Sequence, residues 1–249
     1  MARKRRQLPI SRLIPNLITI SALCCGMTSV RFALLEQWET SATFLLVAAF
    51  LDGIDGRVAR MLKATSDFGA QMDSLSDIVC FGVAPAVVLH LWALQDIKRF
   101  GWAIALFYTV CCALRLARFN TSLMEAEKEE WQTHYFTGVP APMGALLALL
   151  PMVASFQFGE EILIVENTWF LVVYLPFVAL LMASRVPTMM LKGRSIPTAW
   201  VLPVMLALIG LILGLIIETW LVVSLIGLFY LLSLPLSSAM AYRKIKQLK

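Results

Sequence analysis

Five of the six aspartates of this chain fall between Asp52 and Asp77, in the stretch "AFLDGIDGRVARMLKATSDFGAQMDSLSDIVCFG". Asp52 and Asp55 have i, i+3 spacing, and Asp73 and Asp77 have i, i+4 spacing, so on helices each pair shares one face. Four carboxylates at one level repel and cannot all stay ionised without compensation. Hard divalent cations with oxygen ligands supply it, and two of them suit four aspartates. Beside the acids, Gly56, Ala59 and Gly69 leave room for a ligand to approach the backbone, and Arg60 offers a planar donor fork suited to phosphate oxygens. Asp67, after Ser66, reads as a cap for the helix that follows.

Metal plus phosphate is one reading of these residues. A second is a buried salt-bridge network in which the carboxylates pair with Arg57, Arg60 and Lys63. A third is an ion or proton pathway, which intramembrane acids commonly mark. Residue types and spacing leave all three open.

The elements that must position the acids are membrane helices. The 249-residue chain is 59% hydrophobic and 15% charged, with a mean hydropathy of +0.78, so the expected solvent is a bilayer. An ionised aspartate at the centre of a lone membrane helix costs on the order of 2.5–3.5 kcal/mol, so these must face one another around cations or water. Apolar stretches long enough to span recur at 13–35, 40–61, 69–95, 100–119, 137–157, 167–184, 197–217 and 219–240. The second and third are the weakest by hydropathy, because they carry the aspartates. Counted from cytoplasmic ends near Met61 and Gly69, with a rise of about 1.5 Å per residue, these two antiparallel helices bring Asp52 level with Asp77 and Asp55 near Asp73.

Eight spans put both termini on one side. "MARKRRQ" and "YRKIKQLK" are both basic, and the opposite loops "EQWET", "FGEEILIVEN" and "ETW" contain no Lys or Arg. Both termini, and the mouth of the aspartate site, are therefore expected in the cytoplasm. The segment after "MARKRRQ" reads as the first span rather than a cleavable signal. Five cysteines, all in apolar stretches, include two adjacent pairs and no C-x-x-C, which argues against a disulfide framework or a zinc site. A net charge of +5 without a basic run interleaved with aromatics, outside the termini, excludes nucleic acid as an expected partner.

The pattern Asp52-x2-Asp55-Gly56-x2-Ala59-Arg60-x8-Gly69-x3-Asp73-x3-Asp77 is similar, without gap or substitution, to the signature of the CDP-alcohol phosphatidyltransferases. Eight fixed positions make a chance match on the order of 10⁻⁹ per starting point. "PNLIT" at Pro15 to Thr19 resembles the family's first span. "DSLSDIVCFGVAPA", "LRLARFN" and "FTGVPAPMGA" resemble its bacterial phosphatidylserine synthase branch. The resemblance covers residues 10 to 185 and is thin afterwards.

It implies an all-α, dimeric integral membrane enzyme with a six-helix core and an added C-terminal hairpin. The expected division is a basic cytoplasmic N-terminus at 1–12, a catalytic core at 13–184, and a hairpin with a basic tail at 185–249. The implied reaction moves the phosphatidyl group of CDP-diacylglycerol to L-serine at the cytoplasmic face of the bacterial inner membrane, releasing CMP. Carried over by residue, Asp52, Asp55, Asp73 and Asp77 bind two divalent ions, Mg²⁺ or Mn²⁺, and Asp77 is also the general base. Gly56, Ala59, Arg60 and Gly69 hold the CDP moiety, with Asn16 a further contact to the nucleotide. Arg115, Arg118 and Asn120 are candidates for the serine carboxylate or a phosphate, although arginines at a span end also snorkel to the interface. Two alternatives are the same chemistry with glycerol 3-phosphate or inositol phosphate as acceptor, and, in a different class, an ion-coupled transporter. His90 is expected too far from the acids to take part.

Overall fold

The computed structural model describes residues 13–124, 135–159, 168–184, 186–189, 197 and 200–248. The basic N-terminal run, His134, residues 160–167, the Lys192/Arg194 loop and, beyond Met124, the stretch "MEAEKEEW" (124–131), whose composition suggests a short loop helix, lie outside these. Among the described residues are eight long helical segments: α1 (Leu13–Leu34), α2 (Trp38–Met61), α3 (Asp67–Ile97), α4 (Arg99–Met124), α5 (Ala141–Phe158), α6 (Thr168–Ala183), α7 (Val201–Ile217) and α8 (Thr219–Leu248). Each expected span has its helix, and the protein is an all-α integral membrane protein. Five of the eight are long and apolar enough to cross a bilayer on length and composition. α6 and α7 are apolar but shorter, and α2 falls short because its second half carries the acids and arginines. α3 is stronger than expected, since the apolar run from Ile78 onward outweighs its polar first turns.

The chain forms two compact units, Met1–Trp92 and Ala93–Lys249. In the first, α1 and α2 form a hairpin through a tight turn at Glu36, which takes a positive φ of 57°. The buried residues of α1 are Pro15, Thr19, Ala22, Gly26, Ser29 and Ala33, a stripe of mostly small side chains at spacings of three and four. Small residues let membrane helices approach closely, where packing and hydrogen bonds replace the hydrophobic effect that lipid cannot supply. Ser29 and Ser41 share a 3.0 Å hydrogen bond across the hairpin, and Phe32 stacks on Phe44 at 5.2 Å.

The other flank of the stripe takes α3. A β-carbon on Gly26 would stand 2.8 Å from Cys80 Sγ and 3.2 Å from Cys80 Cα. Backbone cannot yield as a side-chain tip can. Gly26→Ala is expected to destabilise the protein by about 1–3 kcal/mol, read as a lower unfolding temperature in detergent; an unchanged temperature would show that the helices separate freely there.

α2 ends in a turn where Lys63 takes φ 51° and the Ala64 amide reaches back to the Ala59 carbonyl at 2.8 Å. This is the six-to-one bond of a Schellman turn, at a position where glycine is usual. The turn leads directly into α3, whose course is irregular. Ile78–Val83 and His90–Leu94 are π-helical, and the Ala84 amide bonds the Val79 carbonyl five residues back. The widened turn relieves the clash that the Pro85 ring would make with the carbonyl four residues earlier.

The second unit packs α4 against α6 and α5 against α8. Tyr108, Leu147, Met152, Leu171, Leu175 and Met182 are fully buried in it, and the Tyr174 hydroxyl donates to the Leu147 carbonyl at 2.8 Å. Sequence reading had the fifth span beginning at 137. Instead Tyr135–Thr137 (β1) pairs antiparallel with Pro187–Met189 (β2), Phe136 opposite Thr188. Gly138 then turns with φ +81°, and its amide bonds the Val186 carbonyl. Only after Pro140 does α5 begin. α7 exposes large apolar side chains along most of its length, as a lipid-facing helix does.

Candidate active site

The acids come from the C-terminal half of α2 and the first turns of α3, and α1 packs along both and binds Asp55. The first turns of α3, Asp67–Asp77, make little close backbone contact with α2. The aspartates therefore face each other across a gap. Carboxylate oxygens of Asp52, Asp55 and Asp73 all lie within 4.8 Å of one another. Asp55 is the most enclosed, 5% exposed, and its Oδ2 accepts a 2.6 Å hydrogen bond from the Thr19 hydroxyl. Oδ2 is thus held by a neutral hydroxyl on another helix, which the salt-bridge reading of Asp55 did not anticipate.

A cavity of about 170 Å³ opens beside the group. Asn16, Gly56, Ala59, Arg60 and Gly69 all line it, together with Asp55 and Asp73. A β-carbon on Gly69 would lie 3.1 Å from Asn16 Oδ1 and 3.2 Å from Ser66 Oγ, so the glycine keeps that wall open.

The structure brings Asp55 close to Asp73, as helix geometry required, and adds Asp52 to the same group. Asp77, one turn further along α3, is half-buried and stands outside the 4.8 Å group. Asp67 is not the cap of α3. Ser66 is extended at φ −150°, and its Oγ accepts from the Gly69 amide at 3.1 Å. Asp67 is the first helical residue, exposed, where its charge meets the positive end of the helix dipole.

Arg115, Arg118 and Asn120 lie on the last turns of α4, in the second unit. There Arg118 Nη1 donates to the carbonyls of Ala183 (2.7 Å) and Ser184 (3.4 Å) at the end of α6. Arg115 lies over the Phe119 ring at 5.3 Å, and Asn120 is half-buried.

Sequence reasoning assigned no role to Thr19, although "PNLIT" contained the signal: a hydroxyl at i+3 from Asn16, on the same helix face. The donor set fits a hard divalent cation: three carboxylates from two helices, close enough to share one ion, with no sulfur or imidazole among them.

The family model described as CDP-alcohol phosphatidyltransferase matches residues 12–174, and the one described as CDP-alcohol phosphatidyltransferase 2 matches residues 199–235. The chain belongs to the CDP-alcohol phosphatidyltransferase family and is a transferase. It is 38% identical over 235 residues to the CDP-diacylglycerol–serine O-phosphatidyltransferase of Mycobacterium leprae (strain TN), a match covering 94% of this chain and 76% of that one. The protein of the same name from Mycobacterium bovis is 37% identical over 186 residues, 75% of this chain and 64% of that one. That from Bacillus subtilis (strain 168) is 33% identical over 150 residues, 60% and 79% of the two chains.

Proposed function

We propose that the protein transfers the phosphatidyl group of CDP-diacylglycerol to the hydroxyl of L-serine, giving phosphatidylserine and CMP. The observation that carries this is the convergence of Asp52, Asp55 and Asp73 beside a cavity lined by Asn16, Gly56, Ala59, Arg60 and Gly69. The choice of serine draws on the names of the relatives. Phosphorylated acceptors would call for an added basic pocket, and the sequence does not single one out.

In this reading Asp52, Asp55, Asp73 and Asp77 hold two divalent cations, Mg²⁺ or Mn²⁺. When bound, the metal neutralises the pyrophosphate and stabilises the departing CMP. Gly56, Ala59 and Gly69 let the nucleotide approach the backbone, Asn16 contacts it, and the Arg60 fork pairs with phosphate oxygens. Asp77 takes the proton of the serine hydroxyl as its oxygen attacks the phosphorus that bears diacylglycerol. The phosphorus–oxygen bond to CMP breaks in the same displacement. Acyl chains stay in the bilayer, which is why the acids sit within the membrane.

We further assign the reaction to residues 13–184, with 185–249 as an added hairpin and tail, in a homodimer. Both termini and the cavity mouth face the cytoplasm at the inner membrane of a bacterial cell.

Purified protein in liposomes with CDP-diacylglycerol, Mn²⁺ and each acceptor in turn tests the assignment, with the lipid product identified by mass spectrometry. Phosphatidylserine from the serine reaction alone is expected. A product with glycerol 3-phosphate or inositol phosphate only would keep the chemistry and sink serine. No lipid product with any acceptor would overturn the transferase reading of the site.

A further inference from the structure

We propose that Thr19 is a positioning residue that sets the orientation of Asp55, and through it the affinity of the acidic group for a divalent cation. The inference rests on the reading of Asp52, Asp55 and Asp73 as cation ligands. Thr19 and Asp55 are each 5% exposed. At 2.6 Å, the bond from the Thr19 hydroxyl to Asp55 Oδ2 has the short length of a hydrogen bond to an ionised acceptor. The Pro15 carbonyl, one helical turn back, lies farther from the same hydroxyl, at 3.2 Å, so its single proton goes to the shorter contact with Asp55.

The backbone of Thr19 is held from the other side. Ser76 Oγ, on α3 between Asp73 and Asp77, donates to the Thr19 carbonyl at 3.3 Å. One turn on, Cys80 Sγ donates to the Ala22 carbonyl, also at 3.3 Å. A single residue of α1 thus binds the buried acid of α2 through its side chain and the acid-bearing helix α3 through its carbonyl. A ligating carboxylate whose second oxygen is held by an outer-shell donor is pre-oriented, and loss of such a donor typically lowers metal affinity about 10–100-fold. Asp55 Oδ2 is the oxygen that Thr19 holds. The bond of Ser29 with Ser41 holds α1 to α2 about three turns away from Thr19.

Mn²⁺ titrated into metal-free protein in detergent, with the unbound ion read by electron paramagnetic resonance, separates positioning from packing. Wild type and Asp73→Asn come first. Binding to wild type that Asp73→Asn loses establishes the cation site; without it the cation reading fails and this inference falls with it. Thr19→Val, nearly isosteric and apolar, is expected to raise the dissociation constant about 10–100-fold. Thr19→Ser, which keeps the donor, is expected to restore tight binding. Ser29→Ala is expected to lower the unfolding temperature and leave Mn²⁺ binding as in wild type. If Thr19→Val does not fold, Thr19→Ala takes its place, with the same loss of affinity expected. Wild-type affinity in Thr19→Val or Thr19→Ala would overturn the inference. So would an equal loss in Ser29→Ala, because general loosening of the seam would then explain it.

Discussion

Asp77→Asn is expected to slow CMP release by about 10²–10⁴-fold, the usual contribution of a general base, while the Michaelis constant for CDP-diacylglycerol stays close to that of wild type. The amide preserves the shape of the side chain and removes its ability to take a proton. Asp77 is the one acid of the four that stands outside the 4.8 Å group, one turn beyond Asp73 on α3. An acid set apart from the other three can serve as base while they keep most of the hold on the cations. Initial rates at saturating Mn²⁺, paired with an Mn²⁺ binding curve for the same variant, test the assignment. A fall in turnover much larger than the fall in Mn²⁺ affinity is expected, because Asp52, Asp55 and Asp73 stay in place. Equal falls in the two would make Asp77 chiefly a ligand, and an unchanged rate would put the base elsewhere.

Asp73→Asn is expected to act in the opposite order, on the cation first and on turnover through it. Removal of one of three clustered carboxylates takes away a cation ligand. Lewis-acid stabilisation is worth several kcal/mol, and each 1.36 kcal/mol is tenfold in rate, so activity should fall on the order of 10³-fold or more. Stability should move the other way. Without metal, three carboxylates within 4.8 Å repel, and neutralising one relieves the strain. In the presence of chelator, Asp73→Asn should therefore unfold at a higher temperature than wild type. Added Mn²⁺ at one hundred times its dissociation constant should stabilise wild type by about 2.7 kcal/mol and leave the variant unmoved. Thermal scans with and without Mn²⁺ check both signs. A variant less stable than wild type in chelator would mean that the acids are held by structural partners rather than poised for a cation.

Much of this arrangement was legible in the sequence, for identifiable reasons. Long apolar runs mark helices in lipid whatever their tertiary setting, so all eight were found. The second was recognisable through its aspartate spacing, although its hydropathy is weak. Counting depth along two antiparallel helices placed Asp55 near Asp73, whereas the same count set Asp52 level with Asp77, which stands outside the group that Asp52 joins. Other features depended on register between distant segments. The Thr19–Asp55 bond joins residues 36 apart, and nothing in "PNLIT" names its acceptor. The buried stripe of α1 was hard to see because the residues around it are apolar as well, which leaves no polar face for contrast. The π-helical turns after Asp77 reflect the accommodation of Pro85 inside a packed helix. β1 and β2 are three residues each, too short for alternation to register. The Ser66 cap was missed by one position because two good capping residues stand side by side, and only backbone geometry chooses between them.

In the proposed reaction, metal held by these aspartates drives phosphatidyl transfer to serine. The most direct test of this is CMP release from CDP-diacylglycerol and serine as Mn²⁺ is titrated into chelator-stripped wild type and Asp73→Asn. No release is expected from stripped protein, with recovery of wild type as Mn²⁺ is restored and no recovery of the variant at any concentration in the titration. Full serine-dependent release from stripped wild type, or equal recovery of Asp73→Asn, would contradict that role for the metal.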